Sequence, residues 1–171
     1  VRWTGRIPAG LVSERVTGFE DWLPTLLDLA GANEAIPSGI DGLSFAPTLL
    51  GQAQEPRPFL YREFPGYGGQ QSVRVGDWKG VRQGLEKPGP KHLQLYDLKG
   101  DVGETRDVAA AHPDVAARME ALLSREHQPS SAFPIPATDG ETPRYVVARS
   151  TATTRALLDA SEGAWARAQR I

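Results

Sequence analysis

Few residues in this chain could do chemistry. There is no Cys among its 171 residues, which excludes thiolate nucleophiles, thiolate metal sites and disulfides. Gly42-Leu43-Ser44-Phe45-Ala46 approximates the turn that exposes a serine nucleophile. That turn needs a buried strand before the serine, and here a Gly/Pro/Asp loop precedes it, so Ser44 reads as a helix cap. Asp97, Lys99 and Asp101 start like a calcium loop, but Lys99 replaces the third-position oxygen, Val102 the sixth-position glycine and Val108 the twelfth-position glutamate. Gly66-Tyr67-Gly68-Gly69 is not flanked by strand and helix and has no following Lys-Ser/Thr, so it reads as a loop rather than a phosphate cradle. His92, His112 and His127 are far apart and lack metal-ligand spacing. Carboxylates are numerous, but spacing alone pairs none of them across strands.

Composition narrows the partners. Nineteen Lys and Arg face 21 Asp and Glu, a net charge of −2, which excludes a broad basic footprint for nucleic acid. No apolar run approaches the ~20 residues of a membrane span, so neither nucleic acid nor membrane is expected as a partner. Hydrophobic residues at 40% and charges at 23% describe a globular chain. Eighteen Gly and 14 Pro predict many turns and short elements. The chain opens on Val1 and its only Met is Met119, so we expect it to be part of a longer polypeptide. Without Cys it carries no redox signature of compartment.

The elements change character midway. Residues 1–16 read as extended. Thr17 and Glu20 are spaced as a capping box, and Phe19, Trp22, Leu23, Leu26, Leu27 and Ala30 form an apolar helical stripe stopped by Gly31. Pro24 favours a short first turn, a bend, and a firm helix from Pro24 to Ala30. A loop at 31–43, a short helix at 45–51 and a polar linker at 52–58 follow. Strand patterns then occupy 59–64, 71–75, 78–82 and 92–98, with Gly76-Asp77 as a tight hairpin turn. Pro113 opens an amphipathic helix over 113–126 that marks Val115, Met119, Leu122 and Leu123 as one face. Trp78 is expected as a core anchor under that helix. The result is an α+β unit: a small antiparallel sheet with a packed C-terminal helix. Residues 128–143 read as a Pro/Ser/Gly-rich linker, 144–148 as a possible strand and 151–169 as an Ala-rich helix.

Five stretches together resemble the C-terminal part of a sulfatase, arylsulfatase-like, of the alkaline-phosphatase-like superfamily. They are Val1 to Gly10, Asp21-Trp22-Leu23-Pro24-Thr25 with the helix to Gly31, Asp41 to Gly51, the Val73-Arg74-Val75-Gly76-Asp77-Trp78-Lys79 hairpin, and Leu95-Tyr96-Asp97-Leu98 followed by Asp101 to Ala109. Their order is the family's order. Val102 stands where the family often has Pro, and Asp107 where it often has Asn. No likeness is visible beyond Pro134.

The resemblance implies that 1–58 is the C-terminal edge of a large α/β domain, 59–133 a small sheet-plus-helix subdomain, and 134–171 a linker and unassigned tail. It implies sulfate-ester hydrolysis by the complete enzyme, with a formylglycine nucleophile and a calcium ion. This chain has no Cys and no Ser-x-Pro-x-Arg, so no catalytic or metal residue maps onto it and it is expected to be inactive alone. Its implied partners are the upstream catalytic part of the same polypeptide and a small-molecule or sugar sulfate ester. The loop after Glu63 is the candidate substrate contact, with Glu63, Gln70, Arg74 and Lys79 as candidate binding residues. Against that, Glu63 and Arg74 are also spaced to form a cross-strand pair, and Lys79 to be solvated. Two alternatives stay open: a non-catalytic binding module, and the equivalent part of a phosphoester or phosphonate hydrolase on the same scaffold.

Overall fold

A computed structural model describes residues 1–130 and 132–139. The strand expected at 144–148 and the Ala-rich helix expected at 151–169 lie outside the described residues.

A 3-10 turn, Phe19–Asp21, runs into helix α1, Trp22–Leu29. Pro24 falls in the first turn of α1, where its missing N–H has no intrahelical partner to lose. The helix therefore starts two residues before Pro24. The Thr17–Glu20 capping box does not form. Instead the Gly18 N–H donates to Asp21 Oδ2 at 2.8 Å, and the Glu20 carboxylate turns to Arg62. Gly31 at φ 70° ends α1, with the Ala32 N–H returning to Leu27 O at 2.9 Å. Helix α2, Ala46–Leu49, is a single turn. Its N-cap is Phe45 rather than the expected Ser44; Ser44 sits one residue earlier, where its Oγ accepts from the Ala46 N–H at 3.2 Å and donates to Asp28 Oδ2 at 2.6 Å, tying the loop to α1.

Four antiparallel strands follow in the order β1-β2-β3-β4: β1 is Leu60–Phe64, β2 Gln70–Val75, β3 Trp78–Gln83 and β4 Leu93–Asp97. Val75 pairs with Trp78, so Gly76-Asp77 is the two-residue turn the sequence predicts, and Gly76 takes φ 57° at its first position. Register aligns Tyr61 with Val73, Val73 with Gly80, and Gly80 with Leu95. Strand alternation puts these residues on one face. Helix α3, Pro113–Glu126, covers that face, burying Met119 and Leu123 against Val73, Leu93 and Leu95. Trp78 is half-buried beside this core with its ring centroid 4.9 Å from that of His112 at a tilted 56°, an anchor at the rim rather than at the centre. The far edge at β4 is sealed by Asp107 and Val108: Leu95 N–H donates to Asp107 Oδ1 at 3.0 Å and Val108 N–H to Leu95 O at 2.8 Å. After α3 the chain folds back. Ala137 N–H donates to Leu85 O at 3.1 Å, and Leu85 and Ile135 are both buried.

Gly80 sets how closely α3 approaches. A Cβ there would stand 2.9 Å from Met119 Cβ, inside contact distance. Gly80→Ala should therefore lift α3 or strain the sheet, costing about 1–3 kcal/mol. Denaturant unfolding measures this, and an unchanged midpoint would contradict so close a packing of helix on sheet.

Candidate functional site

Two polar clusters flank β1. The first holds the helical segment to the strand. Asp21 is buried, and its Oδ1 accepts the Leu43 N–H at 2.8 Å and Arg57 Nη1 at 2.5 Å. Arg57 also donates from Nε to Phe59 O and from Nη2 to Glu20 and Asp41 O. Thr25 Oγ1 donates to Asp21 O and accepts the Phe45 N–H. Burial works to raise the Asp21 carboxyl, but the Gly18 and Leu43 N–H groups and the Arg57 guanidinium outweigh it and hold the carboxyl below its usual range.

The second cluster centres on Glu63. Its Oε2 accepts three bonds: from Tyr61 OH at 2.5 Å, Gln71 Nε2 at 3.1 Å and His127 Nδ1 at 2.8 Å. Register explains the first two. Tyr61 and Glu63 are two residues apart on β1, and Glu63 lies directly opposite Gln71 on β2. His127 comes from the residue just past α3, and its Nε2 reaches Asp139 Oδ1 at 2.7 Å. Burial pushes the Tyr61 phenol up, and its bond to Glu63 adds to this, so Tyr61 stays a donor. Burial would also raise Glu63, but the Tyr61, His127 and Gln71 donors win and lower it. Glu63 is thus an ionised, oriented carboxylate. It borders a groove of about 780 Å³ that is also lined by Phe19, Arg57, Phe59, Arg62 and Gln128.

The other three candidate residues lie elsewhere. Alternation places Gln70, Arg74 and Lys79 on the sheet face opposite Glu63, so the four do not converge. Arg74 lies opposite Leu60, not Glu63, so the expected Glu63–Arg74 pair does not form; Arg74 Nε donates to Gly76 O at 2.9 Å. Lys79 is not simply solvated: its Nζ pairs with Glu104 at 2.6 Å. Gln70 pairs in register with Phe64 and Gln83 at the start of β2. The residues sequence reasoning missed are Tyr61, Gln71, His127 and Asp139. Only Tyr61 carried a signal, its period-2 spacing from Glu63.

The chain's carboxylates do not fit the implied calcium ion. Among the described residues, no three His, Asp or Glu side chains gather around a common point, and Asp21, Glu63 and Asp107 are committed to N–H and O–H donors. With no Cys and no Ser-x-Pro-x-Arg, no residue fits a formylglycine precursor. Among the described residues no helix is long and apolar enough to cross a membrane.

No family model matches the chain. Arylsulfatase K of Danio rerio is 32% identical over 112 residues, covering 60% of this chain and 20% of that protein. The Delta 4,5-hexuronate-2-O-sulfatase of Bacteroides thetaiotaomicron is 36% identical over 115 residues, covering 60% of this chain and 22% of that protein. A solved structure of a "putative sulfatase" from Bacteroides thetaiotaomicron superposes with a TM-score of 0.52 at 34% identity, covering 61% of this chain and 23% of its own. The chain thus spans about a fifth of the length of the curated relatives it matches. It is similar to the C-terminal part of sulfatases, with the α+β fold expected.

Both oriented carboxylates make stability acid-sensitive. Asp21 and Glu63 hold protons more weakly folded than unfolded. Their contribution is full above the ordinary carboxylate range near ~4 and is lost as pH falls through the lowered folded values. The thermal midpoint should drop in that acid window. Asp21→Ala would leave the buried Arg57 with only its longer contact to Glu20 as counter-charge, lowering stability at neutral pH by up to about 3 kcal/mol and flattening the acid slope. Calorimetry from neutral to acid pH checks both, and an acid slope identical to wild type would contradict this role for Asp21.

Proposed function

We propose that the chain is the C-terminal part of a sulfatase that hydrolyses sulfate esters, and that the nucleophile and metal ligands lie in the rest of the polypeptide. The observation that carries this is the joint likeness: 32% and 36% identity to two sulfatases over 60% of the chain, with one sulfatase fold superposing over the same share. On this reading 1–58 completes the edge of the large domain, 59–133 forms the small subdomain, and 134–171 stays unassigned. The apolar side of α1 supports it. Phe19, Leu23 and Leu26 are exposed together, a patch that an upstream domain would cover.

Calcium and formylglycine would supply the Lewis acid and the oxygen nucleophile in the complete enzyme. This chain's own work is to bind the alcohol part of the ester. Glu63 is the contact best prepared for it, since its donors hold it ionised and oriented at a groove. A carboxylate repels sulfate and accepts hydroxyl protons, which favours a sugar sulfate, and one matched relative is named for a hexuronate. Arg74, Gln70 and Lys79, on the opposite face, would meet a different part of the ligand or of the upstream domain.

The complete polypeptide should hydrolyse 4-nitrophenyl sulfate or a sugar sulfate in the presence of calcium, and the 171-residue chain alone should not. Turnover by the isolated, repurified chain would overturn the assignment of the nucleophile to the rest of the polypeptide. A complete polypeptide inert to sulfate esters would overturn the sulfatase reading.

A further inference from the structure

The bonding of Glu63 differs from that of the chain's other well-bonded carboxylates. Glu20, Asp21, Asp101 and Asp107 each receive at least three contacts, and each spreads them over both oxygens. Glu63 receives three on Oε2, and among the described residues none reaches Oε1. Its side chain keeps 22% of its exposure and lines the groove. Three donors from three directions fix the plane of a carboxyl group. The second oxygen is left as an acceptor aimed away from them.

His127 is the donor that sequence distance makes unlikely by chance, 64 residues from Glu63. Its side chain is 8% exposed and that of Asp139 is fully buried. Asp139 is itself fixed, because its Oδ2 accepts the Ile135 N–H at 2.7 Å in a tight turn. The ring nitrogens face carboxylate oxygens on both sides, so each acts as a donor, and the contact with Asp139 sets the ring orientation. That orientation brings Nδ1 to Glu63 Oε2.

We propose that His127 and Asp139 are positioning residues for Glu63, which presents Oε1 to a ring hydroxyl of a sugar sulfate lying in the groove beside β1. This rests on the sulfatase reading above and adds which residues set sugar recognition. Four carboxylates, Glu20, Asp41, Glu63 and Glu126, border the groove against Arg57 and Arg62, whose guanidinium groups are already paired with Glu20 and Asp21, so the sulfate itself points away from Glu63. The turn at 135–139 thereby joins the binding apparatus, although it touches no ligand.

The test uses the complete polypeptide with two probes: 4-nitrophenyl sulfate, which has no sugar hydroxyl, and whichever is cleaved best among 2-, 4- and 6-sulfated hexosamines and hexuronic acids. Asn Nδ2 stands close to where imidazole Nδ1 does, and Gln Nε2 close to imidazole Nε2. His127→Asn therefore keeps the donor to Glu63, and His127→Gln keeps only the contact with Asp139. Glu63→Gln and His127→Gln should each raise KM for the sugar sulfate about tenfold, the loss of one charge-assisted bond, and should change the aryl sulfate constants far less. His127→Asn should lose clearly less than His127→Gln, its remaining deficit being the orientation that Asp139 no longer sets. If both His127 variants act alike, or both probes lose activity together, His127 is structural only and the inference falls while the sulfatase reading stands. If the wild-type polypeptide cleaves no sulfate ester, the reading falls and the inference with it.

Discussion

The buried pair of Asp21 and Arg57 is the constraint on which the arrangement of this chain depends. Their side chains are 3% and 7% exposed, so both charges have left water. Such a pair stabilises little in itself, because desolvation offsets most of the attraction. Its effect is on which segments meet. Arg57 reaches Asp21 in the turn before α1, the Asp41 carbonyl in the loop after it, and the Phe59 carbonyl ahead of β1. Any other docking of the helical segment on the sheet would leave the guanidinium buried and short of acceptors. Thr25 reinforces this from inside α1, by linking Asp21 O to the Phe45 N–H.

The same logic operates on the other side of β1, with weaker charges and longer connections. Glu63 and Gln71 are brought together by strand register, and α3 delivers His127 to them from its C-terminal end. Packing of Met119 and Leu123 on Val73, Leu93 and Leu95 fixes where that end falls. Apolar burial thus sets the position of the helix, and the polar contacts at its end depend on that position being right. Gly80, which lets α3 sit close, acts on the Glu63 cluster at a distance through this route.

Local pattern was legible in the sequence where one element decided it. Pro113 and the Val115, Met119, Leu122 and Leu123 spacing give α3 its observed bounds, and Gly76-Asp77 gives the hairpin. Helix α1 begins two residues ahead of the Pro24 start that the sequence favours, because Asp21 takes the N-cap and leaves Pro24 in the first turn. Asp107 shows how a departure from the family pattern can be harmless. Its Oδ1 accepts from Leu95 and Ala109 N–H groups, and an Asn carbonyl could do the same. Of the candidate site, Glu63 was legible through the family resemblance, and His127 and Asp139 were not. No spacing rule links residues 63, 127 and 139, and the last lies in a Pro/Ser-rich stretch that resembles linker. Their association is a product of tertiary packing, and so is the split of Gln70, Arg74 and Lys79 onto the opposite face.

Phe19 connects the two unfinished features of the structure. It is 88% exposed, it belongs to the apolar patch with Leu23 and Leu26, and it also borders the groove that Glu63 lines. On the sulfatase reading, whatever covers α1 therefore also forms a wall of that groove. Apolar cover there would lower the local dielectric and strengthen the bond between Glu63 Oε1 and a hydroxyl, which in open water competes with solvent. Sugar recognition and sulfate chemistry would then be split between two parts of one polypeptide that meet at α1. The isolated chain would keep the oriented carboxylate and lack the dry surroundings that give it affinity.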